Sequence, residues 1–459
     1  MKHYYSNNQT NILERRSSSK FEILSILKYI TFIISFVLIF LPLLSNKDLA
    51  EYHLYLLGFL LIIDIIQEKK ISLYVVWIAG FIYIILSEMI KITDNSNYNL
   101  AVRYLLTANN TVLLGYSVAK NKKMFSYQKT NFSTSSKFFP FLIFLLTIFY
   151  LFNSFDTVAR SYFYGRQLVS TMGSGSLLGA LTSSLSLTIP SLIAYYVVHM
   201  KKQSKMIASL FAAPIFLFLF LLSTRFALLF SVLPFLLISG FINMNKLSVT
   251  SIILILLAII TLSFFSQYIQ KTRNESIQDR RELFETKSNE GMSFAEIIAS
   301  KCSPEGCVEM TYLAERYFDS HNHTYGVSIG FITYFWIPRS VWPDKPTQVD
   351  HWLPRYFNPH MTDTASTASG FTGELRADFG YFSLFFLFIL GVFLKRCNYY
   401  LVYYNYGRTP CYESMYAAQL IPTTFFAIRG LNLAITTFLC SVLLLWLISK
   451  FKQNACNSK

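Results

Sequence analysis

Residues 370 to 395 read GFTGELRADFGYFSLFFLFILGVFLK, and the two halves of this stretch obey different rules. Up to Gly380, glycines and apolar residues are interleaved with Glu374, Arg376 and Asp378; from Tyr381 to Leu394 no charge occurs. The second half reads as a membrane span, which needs about 20 mostly apolar residues, or fewer where flanking groups snorkel. The first half closes a polar, motif-dense island. That island starts at Tyr334 and packs Arg339, Asp344, Lys345, Asp350, His351, Arg355, His360 and Asp363 among aromatics and prolines. Trp336, Trp342 and Trp352 lie within it. A solvated loop has little reason to keep three indoles beside so many charges, whereas a site for an amphiphilic ligand at a membrane surface does.

Outward from the island the chain is apolar. Of 459 residues, 53% are hydrophobic, 17% aromatic and 14% charged, and the mean hydropathy is +0.41. An ordinary soluble protein carries about 25% charged residues, so that class is excluded. The expected fold is an all-α polytopic membrane protein of about 12 transmembrane helices. Their runs lie at roughly 23 to 44, 52 to 66, 71 to 90, 100 to 119, 138 to 155, 175 to 199, 206 to 222, 226 to 243, 248 to 266, 380 to 395, 413 to 428 and 431 to 449. The first 20 residues are polar and lack a signal peptide's basic-then-apolar layout, so the first run reads as a retained span.

The formal charge of +15 follows from topology. Lys and Arg gather at 15 to 20, 69 to 70, 120 to 137, 201 to 205, 246, 395 to 408 and 450 to 452, all on one side of this arrangement. Sparse turns such as 46 to 52 and 93 to 99 occupy the other. The positive-inside rule then predicts a cytoplasmic tail over 1–22, nine spans over 23–266, a large external loop over 267–379, three spans over 380–449 and a cytoplasmic tail over 450–459. Basic loops of this kind account for the charge without a nucleic-acid partner.

The external loop opens with a charge-rich helical pattern that reads as a solvated face. CSPEGC follows, and its spacing suits a small turn closed by a Cys302–Cys307 disulfide, with reduced thiols as the open alternative. From Met310 to Pro338 two short amphipathic helices are expected at the interface, and then the island. A second external segment, 156 to 179, carries Arg160 and Arg166 among Tyr and Phe, ahead of a Gly/Ser-rich stretch that permits a broken helix end. Arg225 and Arg429 each sit on a tight external turn between spans, where the positive-inside bias discourages cations.

Few competing catalytic signatures exist. GSGSLLG follows no strand, so a phosphate-cradling loop is not expected. There is no G-x-S-x-G, no H-E-x-x-H and no DxD pair. His321 and His323 lack a third ligand, so neither a metal nor another cofactor is expected. Asp64 and Glu88 are the charges noted inside spans.

Ser223-Thr224-Arg225 at a tight turn, Ile337-Pro338-Arg339 followed by Trp342-Pro343-Asp344-Lys345-Pro346, and GFTGELRADFG over 370 to 380 together resemble the bacterial O-antigen polymerases. The layout agrees over about two thirds of the chain, while the specific motifs cover some 50 residues. What the resemblance implies is a membrane-embedded, GT-C-like glycosyltransferase of the bacterial inner membrane with its active site facing the periplasm. It would move a growing glycan from undecaprenyl diphosphate onto a new undecaprenyl-diphosphate-linked repeat unit. Partners implied are that lipid-linked oligosaccharide as donor and acceptor, membrane lipid and a chain-length regulator protein. The chain departs from a family variant with paired basic loop motifs, since no such pair occurs. An O-antigen ligase and a lipid-linked oligosaccharide flippase remain open alternatives; against the flippase stand the long external loop and the absent internal repeat.

Transfer from a diphospholipid needs cations, because charge builds on the leaving diphosphate in the transition state. Arg225, Arg339, Lys345 and Arg429 suit this, with Arg160, Arg166 and Arg376 as further binding candidates and Trp342 and Trp352 as sugar-stacking faces. The expected base is His351, beside Asp350, or Glu374, whose partial burial would raise its pKa. Both also admit purely structural readings, Glu374 as a partner of Arg376 or Arg339.

Overall fold

The computed structural model describes residues 23–41, 44–68, 72–94, 98–119, 138–164, 177–197, 205–221, 306–334, 341–360, 370–405 and 412–431. Most of 434–446 and scattered positions at 231–238 and 337 are also described. All regular structure among them is helical. The helices are α1 (Ile23–Phe40), α2 (Asn46–Glu68), α3 (Leu73–Asp94), α4 (Asn99–Val118), α5 (Phe138–Tyr164), α6 (Leu177–Tyr195) and α7 (Lys205–Leu221). After these come α8 (Cys307–Phe318), α9 (Val327–Tyr334), α10 (Val349–Phe357), α11 (Gly370–Phe379), α12 (Ser383–Asn405) and α13 (Tyr412–Arg429). α14 covers Ala434–Trp446.

Three stretches, Ile23–Phe40, Asn46–Gln67 and Gly370–Val402, are long and apolar enough to cross a membrane. Leu73–Met89, Pro140–Phe155, Met206–Leu219 and Ala434–Trp446 are shorter apolar helices. The expected span at 248 to 266 lies outside the described residues, and that at 226 to 243 is described only in part. Burial is inverted relative to a soluble bundle. Ile26, Ile30, Ile33, Val37 and Phe40 of α1 and Phe141, Phe144, Ile148, Phe152 and Phe155 of α5 form outward apolar stripes, while Ser35, His53, Asp64, Glu88, Asn109 and Asn110 are buried. Stripes this long face lipid, not water.

The buried polar groups are tied together. Lys28 Nζ donates to Asp64 Oδ1 (2.5 Å), which links α1 to α2, and Ser72 Oγ donates to Asp64 Oδ2 (2.9 Å). Ser35 bonds both His53 and Asn110. Trp77 Nε1 donates to Asn109 Oδ1 (3.0 Å). Arg103, inside α4, donates to the carbonyls of Ile39, Leu41 and Leu44 and so closes the C-terminal end of α1. Sequence reading passed over Lys28 and Arg103, because each sits in a run apolar enough to hide one charge.

α4 and α12 run parallel: Tyr104 meets Ser383, Gly115 lies against Phe388, and the Lys395 ammonium sits over the Tyr116 ring. Their contact has no room for side chains at two places. A Cβ on Gly115 would lie 2.1 Å from the Phe388 carbonyl oxygen, and one on Gly391 2.0 Å from that of Val112. Small residues let membrane helices approach this closely. One apolar core joins α1–α4, α12 and α13 with the N-terminal ends of α8 and α11; a second joins α5–α7 with Ala418 and Leu445.

Several helices outrun their expected limits. The stretch 46 to 52, expected as a turn, forms the first turns of α2, because Ser45 Oγ accepts the Asp48 amide in an N-cap. α5 continues through Tyr164, so 156 to 164 is helix and not loop. α12 likewise runs past Lys395 to Asn405.

Candidate functional site

The polar half of the opening stretch folds into α11, whose residues from Gly370 to Asp378 are all buried. Phe371 packs edge-on to Trp77 (5.2 Å) and Phe81 (6.2 Å), so the helix starts beside the N-terminal half of α3. α8 starts close by. Gly306, at φ +79°, donates its amide to the buried Glu88 carboxylate of α3, which puts that charge at the positive end of α8. α8 and α11 approach closely along Gly370, where a Cβ would lie 3.1 Å from the side chain of Cys307, and along Gly373, where one would lie 3.2 Å from Met310 Cβ. Cys307 is buried; its expected disulfide partner Cys302 is outside the described residues.

At the other end of α11 the chain breaks. Gly380 adopts φ +58° and a short 3-10 turn, Gly380–Phe382, leads into α12. A Cβ at Gly380 would lie 2.6 Å from His323 Nε2. The loop carrying His323 is clipped to α11: the Thr324 and Tyr325 amides donate to the Ala377 and Asp378 carbonyls, and Thr324 Oγ1 donates to Asp378 Oδ1 (2.5 Å). Asp378 therefore has an anchoring task.

Arg376 projects from α11 toward α4, α8 and the start of α12. Its guanidinium lies 3.5 Å beneath the Tyr381 ring centre and 5.1 Å from that of Tyr104. Its acid partner is Glu315 of α8, with Nη2 3.6 Å from Oε1. This contact spans two helices. Both side chains are 9% exposed, yet Arg376 Nη1 and Glu315 Oε1 have no hydrogen-bond partner among the described residues. Buried polar groups are nearly always satisfied. Burial pushes the Glu315 carboxyl above the ordinary carboxylate range, Arg376 pulls it back, and Asp319 adds a smaller upward push.

α10 packs on α8 and α11 through Val349 and Leu353, which meet Met310, Ala314 and Ala377 in a small core. This places Trp352 5.1 Å from Tyr317, which also stacks on His321 (4.2 Å) and meets Tyr356 (4.8 Å). The four rings form a partly exposed aromatic ledge of the kind on which a sugar face stacks. His351 is half-buried on the same helix. No hydrogen bond joins its ring to Asp350, whose Oδ1 is buried without a partner. The orientation expected of His351 is thus not seen.

Among the other predicted residues, Lys345 is buried and donates to the Ile337 carbonyl (3.0 Å), so its ammonium is engaged within the loop. Trp342 is partly exposed and packs on Tyr334 (5.5 Å). Glu374 is buried one turn from Gly370. Arg429 is the last residue of α13, which packs on α11. Arg160 falls on α5, with its side chain outside the described set. Arg166, Arg225 and Arg339 lie outside the described residues. Glu315 was missed from the sequence, where its segment reads as a plain amphipathic helix; the only available signal was an acid on that helix's apolar side. An open groove of about 440 Å³ between α12, α13 and α14 is lined, among the described residues, by Tyr400, Tyr416, Leu439, Val442, Leu443 and Trp446.

Fold and site together define an all-α protein of membrane character with a charged helix buried in its bundle. No family model matches the chain, and no curated protein or solved structure matches it either.

Proposed function

We propose that this protein is an O-antigen polymerase: a glycosyltransferase that moves a growing glycan from undecaprenyl diphosphate onto a new lipid-linked repeat unit. In this reading about 12 spans carry a GT-C-like active site that faces the periplasm from the inner membrane. The observation that carries it is Arg376, buried between helices with an N–H left unbonded. Such a donor is placed for charge that appears only when a diphosphate departs, which is where binding energy accelerates a reaction. The aromatic ledge of Tyr317, His321, Trp352 and Tyr356, on helices packed against α11, supports a place for the glycan. No metal or other cofactor enters the reading.

The test is a strain lacking the protein, with its lipopolysaccharide resolved on a gel. Single repeat units on core are the expected outcome. Lipid-linked polymer that never reaches core would mean a ligase instead, and loss of periplasmic repeat units a flippase.

A further inference from the structure

We infer that Glu315 is the group that takes the proton from the acceptor hydroxyl, working beside Arg376; the inference rests on the glycosyl-transfer reading above. Glu315 Oε1 and Arg376 Nη2 stop at 3.6 Å, and an acceptor (Oε1) and a donor (Nη1) of this buried pair are left unused. That combination complements a hydroxyl lying next to an anionic oxygen, which is what an acceptor sugar presents beside a departing diphosphate. Tyr104, held by Ser383, and Tyr381 flank the guanidinium. Tyr381 is 62% exposed, so a rotamer change of its ring, on the fast timescale of surface side chains, would uncover the guanidinium.

The step balances without a co-reactant. The acceptor oxygen bonds to the anomeric carbon of the donor's first sugar, and the bond from that carbon to the phosphate oxygen breaks. Its electron pair leaves with the diphosphate beside Arg376. The hydroxyl proton passes to Glu315 Oε1 and from there to water. A carboxyl raised by burial is a better base near neutral pH than an ordinary one. The charges acting on it are Arg376 of α11 and Asp319 at the end of its own helix, with the Tyr104 hydroxyl of α4 in range. α11 also carries Glu374 and Asp378, and α10, packed on α8, carries Asp350, His351 and Arg355.

The experiment compares wild type, Glu315→Gln and Glu315→Asp in vesicles of phosphatidylethanolamine and phosphatidylglycerol. Each is supplied with lipid-linked repeat units extracted from cells lacking the protein, from about pH 5 to 8. The wild-type rate should rise with pH as Glu315 loses its proton. Glu315→Gln should lower kcat about 100-fold or more at unchanged KM and abolish that rising limb, and Glu315→Asp should restore part of both. A raised KM with the limb intact would mean a merely structural pair and overturn the inference. So would a Gln variant with wild-type kcat and pH profile, while elongation by wild type would leave the polymerase reading standing. Absence of elongation by wild type would sink that reading itself. If Glu315→Gln does not accumulate, Glu315→Asp decides: a displaced limb supports the role and an unmoved one ends it.

Discussion

Arg376 illustrates how a single side chain can be both settled and incomplete. Two tyrosine rings and one carboxylate hold it in place, yet one N–H has no partner, an omission that costs about 1–3 kcal/mol in a folded protein. Arg376→Ala should lower kcat about 100-fold or more, the usual cost of losing a donor aimed at developing charge. Arg376→Lys should recover only part, since an ammonium lacks the planar fork. Elongation assays on the purified variants check both. Asp350 offers a test of stability. Burial raises its carboxyl above the ordinary range against the pull of His351 and nearby backbone amides, so the folded state binds that proton more tightly. Stability from this group is then greatest below the ordinary carboxylate pKa and falls as pH rises through the raised value. Asp350→Asn should flatten that fall in melts of the purified protein. At this scale the sequence named Arg376 but not Glu315. An arginine in a glycine-rich motif before a span stands out, whereas a single glutamate on the apolar side of a short amphipathic helix is a weak signal until a distant helix covers it.

Among the elements, apolar helices were the legible part and the packing of the polar helices between them was not. Apolar runs fixed α5, α7 and α12 to within a turn or two at their starts, because lipid demands a continuous hydrophobic length. Composition says nothing of the same kind about GFTGELRADFG. Its three charges suggest a surface, whereas contacts from other parts of the chain, among them Glu315, Thr324 and the rings of Tyr104 and Tyr381, help to make its burial tolerable. The turn that ends α11 provides a test. Gly380→Ala forces a side chain into left-handed backbone, a cost of about 1–2 kcal/mol, and pushes its Cβ toward His323. A lower Tm in detergent and reduced elongation are expected, and an unchanged Tm would mean that α11 is not held by this turn. Gly115→Leu should do worse. Its side chain would have to displace the backbone of α12, so protein recovered from membranes should drop sharply.

For the whole molecule, the inverted burial of α1 to α5 and the apolar lengths of several helices argue together for a bilayer as solvent. The Lys28–Asp64 pair fits that setting: removing either partner strands a charge and should cost about 3–5 kcal/mol. Orientation rests on the basic loops. Reporter fusions after Lys129 and after Lys205 should read cytoplasmic and one near Ser288 periplasmic; a cytoplasmic Ser288 would put the site on the wrong face. The central claim is that a diphosphate departs beside Arg376 as the glycan moves. It is tested most directly by the length distribution of glycan made in vesicles from lipid-linked repeat units, by wild type and by Arg376→Ala at equal protein. The account predicts a ladder of products from wild type and almost none beyond the starting unit from the variant. Ladders of equal length and yield from both would contradict it.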